Sequence, residues 1–230
     1  MKKFSFGLVL FSVALCVLLL ICPMKGYADI MTVTLEGVGG QSSGTNPDVY
    51  VYPYYFSFDG SSALTPLMCI SYENEIYFGE TWTANMVPVK GNELYVEAAY
   101  ILALAAAPDV SADTTAVAQW ANWELFDPSD SNLLANLPAG YQPQIDTMLA
   151  TAANFAKDNV NTTDFPNIDV FIPEAGTQPA GDGYPQTFVG DPAGGPIYPP
   201  DLAPEPSSYL LFGTGLLSLA ALWFRRRCIA

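Results

Sequence analysis

Ile30-Met31-Thr32-Val33-Thr34-Leu35-Glu36-Gly37-Val38 alternates apolar and polar side chains, the period-two pattern of a strand with one buried face. Gly39 to Pro47 is a polar loop rich in Gly and Ser. Val49 to Phe58, rich in Val, Tyr and Phe, reads as a second strand, in which Pro53 suggests an edge or a bend. Leu67 to Tyr72 is a short apolar run centred on Cys69, and Glu75 to Thr83 offers a further strand. The period then changes. Asn92 to Ala107 is dense in Ala, Leu and Ile and stops before Pro108, as a helix does. Ser111 or Asp113 can cap a second helix that runs to about Phe126, where Asp127-Pro128 ends it. A third helix is predicted from about Gln142 to Asn159. Pro143 lies in its first turn, and Ile145, Met148, Leu149, Ala152 and Phe155 fall at helical spacing. Ile168 to Ile172 reads as a last strand. The order predicts an α+β domain over residues 29–172: strands first, then about three helices, then a final strand.

Outward from this body, both ends of the 230-residue chain have a different character. Residues 1–28 read as a secretory signal: Lys2 and Lys3 open it, Leu8 to Ile21 form its apolar run, and Gly26-Tyr27-Ala28 is a small-residue cleavage site for signal peptidase. Lys25 and Pro23 close the apolar run early, which favours removal over a retained anchor. From Pro173 to Pro206, 9 Pro and 6 Gly in 34 residues leave little from which to build a core, so residues 173–203 are expected to form a disordered tether. At full polyproline extension such a tether reaches on the order of 100 Å.

Charge narrows the partners. Between Asp29 and Pro206 the only basic residues are Lys90 and Lys157, against all 23 acids, so the exported body carries −21. It has no Arg and no His. Nucleic acid is excluded as a partner, because phosphate binding rests on Lys and Arg. Anionic polysaccharide would be repelled unless divalent cations bridged the two.

Tyr209 to Phe224 is an uncharged run of 16 residues, followed at once by Arg225-Arg226-Arg227. As a helix it spans about 24 Å, short of a core of about 30 Å, and snorkelling arginines can make up the difference. The basic tip predicts a cytoplasmic C-terminus. Immediately before the run stand Pro204, Glu205 and Pro206. Motif, short transmembrane segment and basic cluster, in that order over 204–230, resemble the PEP-CTERM sorting signal. The resemblance implies recognition by exosortase, a membrane peptidase. The chain would be held in the inner membrane before sorting, and would then be placed on the cell surface or released. A permanent single-span anchor is the alternative.

Cysteine usage bears on chemistry. Cys16 and Cys22 lie in the signal and Cys228 in the tip, which leaves Cys69 alone in the exported body. A lone exported cysteine is buried and inert, paired with another chain, or chemically used. The second helix contains Gln119, Trp123 and Phe126 at i, i+4 and i+7, so the three share one face, and two large aromatics turn that face inward. A buried Gln119 amide needs partners. A thiolate held against its side-chain carbonyl could expel ammonia and leave an internal thioester, with Trp123 as a wall against water.

At these residues the sequence resembles the bacterial Cys-Gln thioester domains of surface adhesins. Met68-Cys69-Ile70 fits the cysteine segment, and Gln119-Trp120-Ala121-Asn122-Trp123 fits the Gln-x-Ala-x-Trp motif. Three positions depart from it: Ala118 where Thr is usual, Asn122 where an aliphatic residue is usual, and Ser71 where an acid commonly follows. Asn122 matters least if it faces solvent. The resemblance implies a thioester between Cys69 and Gln119, shielded by Trp123, that joins the protein covalently to an amine-bearing surface or matrix partner.

Other chemistries lack their residues. Without His there is no Cys-His hydrolase and no common zinc site. Asp127-Pro128-Ser129-Asp130-Ser131-Asn132 has oxygen ligands, but it lacks the Gly and closing Glu of an EF-hand loop. It reads as a helix-ending turn, compatible at most with weak Ca²⁺ binding. No catalytic residues, no metal site and no cofactor are expected, and the protein is read as an adhesin and not an enzyme. The alternatives are a non-covalent structural component of extracellular matrix or biofilm and, more weakly, a secreted glycan-acting enzyme. N-terminal sequencing of the exported protein should begin at Asp29, and a start at Met1 would show that the leader is retained.

Overall fold

The computed structural model describes residues 29–41, 49–176 and 185–197. The expected signal segment, the sorting motif Pro204-Glu205-Pro206, the transmembrane segment 209–224 and the tip Arg225-Arg226-Arg227 lie outside the described residues. Six strands are present: β1 (Asp29–Gln41), β2 (Tyr50–Phe58), β3 (Thr65–Cys69), β4 (Thr81–Pro88), β5 (Asp169–Pro173) and β6 (Phe188–Gly190). Among the described residues there are four helices: α1 (Glu93–Ala105), α2 (Ala112–Phe126), α3 (Ser131–Asn136) and α4 (Gln142–Asn159).

The strands close into an antiparallel barrel in the order β1-β2-β3-β6-β5-β4, with β4 returning to pair with β1. Opposed residues in an antiparallel ladder share a face. Val33 faces Phe58 on one side and Trp82 on the other, and Leu35 faces Phe56. Cys69 faces Phe188, which in turn faces Phe171. These positions fill the barrel with aromatic rings. Phe56 lies edge-on to Trp82 at 5.8 Å and to Phe188 at 4.6 Å, Tyr54 lies edge-on to Phe188 at 5.4 Å, and Phe58 stacks on Phe171 at 5.3 Å. Such pairs add to the burial of large apolar area.

The helices cover one flank. Asn92 caps α1 and Ser111 caps α2, each side chain accepting a first-turn N–H. α1 is buried over most of its length, with Ala98, Ala99, Ala103 and Ala105 letting it approach α2 and α4 closely. α2 is buried continuously from Ala116 to Trp123 and reaches β1, β2 and β3. A helix buried on all sides belongs between layers, and α2 is the element that carries helical side chains to the barrel strands.

The structure corrects the expected architecture. The α+β arrangement with a single closing strand is replaced by a closed six-stranded barrel with four helices. Pro173 does not begin a featureless tether, because Phe188–Gly190 forms β6 and bridges β3 to β5. Without those three residues the barrel would be open between Met68 and Val170. Residues 75–77 have no regular structure and 78–79 form a turn, and the strand expected there is β4, displaced to Thr81–Pro88. The turn at 127–132 leads into a helix of its own, α3. Pro53 lies just before β2 begins to pair with β3 at Tyr54. It sits where the β1–β2 register slips between Tyr54 and Val51. Among the described residues no helix is long and apolar enough to cross a membrane.

Phe56 is fully buried at the centre of the ring cluster. Replacing it with Ala should cost about 3–5 kcal/mol through lost contacts and the cavity left behind, read as a lower urea midpoint with the slope unchanged. A loss below about 1 kcal/mol would show that the barrel interior can collapse around the gap.

Candidate functional site

Cys69 ends β3 and Gln119 lies mid-way along α2; both have 0% exposure. Their meeting follows from the fold. β3 presents its last residue where α2 crosses the barrel wall, and Gln119 projects from the buried face of that helix. The carboxamide is held at both atoms. Its Nε2 donates to the Cys69 carbonyl oxygen at 2.6 Å, and its Oε1 accepts from the Tyr52 backbone N–H at 3.2 Å. This pattern fixes which end is oxygen and which is nitrogen.

The sulfur has its own surroundings. Cys69 Sγ donates to the Ser71 carbonyl at 3.2 Å. Burial pushes the thiol up to about 11; the Trp123 indole N–H and the Ser71 main chain and hydroxyl, favouring the thiolate, offset part of that shift. By hydrogen-bond geometry the buried indole Nε1 has no partner among the described residues, so its effect on the thiol is one of proximity. Trp123 is 2% exposed and packs edge-on against Tyr72 at 5.1 Å and Trp120 at 5.1 Å. Phe126, which shares its helix face by spacing, is only half-buried and lies against Tyr95.

The segment after Cys69 is fastened by the chain that leads into β6. Ile70 N–H donates to Thr187 O at 2.9 Å, and Thr187 N–H donates to Ser71 Oγ at 2.9 Å. Gln186 Nε2 reaches both Ser71 O and Asn74 O. Ser71, the departure from an acid at this position, therefore serves as a hydroxyl acceptor for the closing strand. Asn122 does not face solvent, so the condition under which its departure from the motif would matter least is not met. It is fully buried and its Nδ2 is directed at the Met68 sulfur.

Beside the sulfur lies a cleft of about 770 Å³, lined among others by Tyr50, Tyr54, Tyr72, Glu73, Tyr77 and Trp123. Tyr54 and Trp123 thus line the cleft and are also the aromatic residues that influence the Cys69 thiol. Tyr54, Tyr72 and Gln186 were not singled out in the sequence. Their only signal was local aromatic content, which does not tell a site wall from core.

The C-terminal region is identified by comparison: residues 202–227 match the PEP-CTERM protein-sorting motif. The match spans Pro204, Glu205, Pro206, the run 209–224 and Arg225 to Arg227. The chain therefore carries a sorting signal for exosortase, which marks an exported protein with a cell-surface fate. A second, short match, to the synapsin N-terminal domain over residues 129–145, takes in α3 and the first residues of α4 and carries no argument about the body. No curated protein and no solved structure matches the chain.

Gln119→Ala would strip partners from the buried Tyr52 N–H and the Cys69 carbonyl together. The expected loss is about 2–5 kcal/mol by urea unfolding. A change within about 0.5 kcal/mol would mean that water or a shift of α2 replaces the carboxamide.

Proposed function

We propose that this exported, exosortase-sorted protein attaches covalently to amine-bearing surface or matrix partners through a thioester between Cys69 and Gln119, as an adhesin and not as an enzyme. The observation that supports this most directly is the bond from the Gln119 carboxamide to the main chain of Cys69 itself. It holds the amide beside the residue that would attack it, in a site without water access.

In the forming step, Cys69 Sγ bonds to Gln119 Cδ, the Cδ–Nε2 bond breaks, and the thiol proton leaves with the nitrogen as ammonia. The Tyr52 N–H already points at Oε1, so it is aligned for the negative charge that develops on that oxygen. Proximity and a fixed donor do the work that an acidic thiol would otherwise do, since burial keeps this thiol protonated at neutral pH. In the opening step, an amine bonds to Cδ, the Cδ–Sγ bond breaks, and the proton returns to sulfur. Cys69 is fully buried while Trp123 and Tyr54 line the neighbouring cleft, so amine access requires the wall around the sulfur to open. Glu73 and Glu75 on the cleft wall favour a cationic lysine as the arriving group.

The second reading is a non-covalent matrix component, and the thiol's full burial and raised pKa favour it. Intact mass separates the two. The thioester reading expects a chain lighter by one ammonia, a difference lost in both Cys69→Ala and Gln119→Ala, and a wild type that gains one methylamine on treatment. A wild-type mass equal to the sequence mass, with one thiol titrating after denaturation of the exported body, would leave the non-covalent reading.

A further inference from the structure

The geometry points to a Ca²⁺ site formed by Glu73, Asp127 and Asp130, which clips the loop after Cys69 to the end of the helix that carries Gln119. One carboxylate oxygen from each residue lies within 4.8 Å of the other two. Calcium holds oxygen at about 2.3–2.6 Å, so ligands on opposite sides of one ion stand about 4.6–5.2 Å apart. The three carboxylates fit around a single ion of that size. Magnesium holds its ligands at about 2.0–2.1 Å in near-ideal octahedral geometry and gives up its waters reluctantly, so a set of three protein carboxylates suits calcium better.

Proximity of acids alone would not assign a site. The second observation is the state of Asp130. It is 7% exposed, and its Oδ1 caps α3 by accepting from Asn132 N–H at 2.7 Å and Leu133 N–H at 3.3 Å. Its Oδ2 is buried and has no partner among the described residues. A buried carboxylate oxygen left bare costs more than a neutral group would. The carboxylates of Glu73 and Asp127, each with an oxygen within 4.8 Å of one on Asp130, add repulsion, where a cation would remove both penalties. No basic side chain is available nearby in sequence, since Lys90 and Lys157 are the only two in the exported body. An all-oxygen, all-carboxylate set selects a hard cation over zinc or copper.

The three ligands come from three elements. Glu73 lies four residues beyond Cys69 in the loop that walls the large cleft, and with Asp127 it also lines a smaller cleft of about 340 Å³. Asp127 is the C-cap of α2, its N–H bonded to Trp123 O at 3.0 Å. Asp130 opens α3. An ion bound there ties the cleft wall to the turn that follows Gln119 and Trp123, so calcium outside the cell would steady the loop. The site does not depend on a bond between Cys69 and Gln119.

The test is calorimetric titration of the full-length chain in detergent, stripped of metal by chelation, with CaCl₂ and with MgCl₂ at constant ionic strength. One saturable Ca²⁺ per chain is expected, with a Kd of about 10⁻⁴–10⁻³ M as in extracellular modules, a higher thermal midpoint, and Mg²⁺ at least about tenfold weaker. Asp130→Asn keeps a good helix cap while removing the charge, and Glu73→Gln changes an exposed side chain. Each should weaken Ca²⁺ at least about tenfold with circular dichroism unchanged. Cys69→Ala should bind Ca²⁺ like the wild type, which separates this result from the fate of the thioester. Absence of saturable binding, or unchanged affinity in both Glu73→Gln and Asp130→Asn, would overturn the site.

Discussion

A carboxamide without access to water has to find its partners within the protein, and Gln119 finds them on the main chain of two adjacent strands. Its nitrogen bonds to Cys69 at the end of β3 and its oxygen to Tyr52 in β2. The two bonds lock the register of α2 against the barrel, because a displacement of one residue along the helix would turn the carboxamide away from both. Trp123 follows one turn later on the same face and is carried to the sulfur by the same placement. The aromatic wall, the thiol environment and the cleft beside them all depend on that crossing.

Barrel closure constrains the same point from the other side. β6 is only three residues long, yet it joins β3 to β5, and the residues before it bind Ile70, Ser71 and Asn74. The last strand to join the sheet is therefore also the clamp on the loop after Cys69. Gly190 suits this place. A Cβ there would press into the Leu67 side chain and come within 3.2 Å of the Pro66 carbonyl.

What the sequence disclosed follows the range of each interaction. The alternation in 30–38, the helix starts near Asn92 and Ser111, and the spacing of Gln119 and Trp123 are local, and they could be read directly. The closure of the sheet could not. Phe188-Val189-Gly190 sits among prolines and glycines whose average composition speaks for a tether, and a three-residue strand is too short to show a period. Its pairing with Cys69 and Phe171 spans more than a hundred residues in one direction. β4 was misplaced for a related reason: Ile76, Tyr77 and Phe78 look strand-like by composition, but they form the cleft wall and the turn before the strand. The sequence left open whether Asn122 faces solvent, and only the packing of α2 against Met68 shows it to be interior. The acidic triad draws on a loop, a helix end and a helix start, so no spacing rule could have joined its members.

Burial has opposite effects on the sulfur and on any bond that it forms. A desolvated thiol is a poor acid, and the Trp123 and Ser71 contacts recover only part of the loss. The same exclusion of water would preserve a thioester once it had formed, since hydrolysis needs a water molecule that the aromatic wall keeps out. An interior of this kind suits a reaction that occurs once, during or after folding, with the barrier lowered by proximity to Gln119 and by the Tyr52 N–H, and not by a standing thiolate. It is ill suited to turnover, which would need the thiolate to be regenerated and a second substrate admitted in every cycle. The lone exported cysteine and the Gln119 carboxamide bonded to the Cys69 carbonyl are thus the features on which the proposed single-use linkage rests.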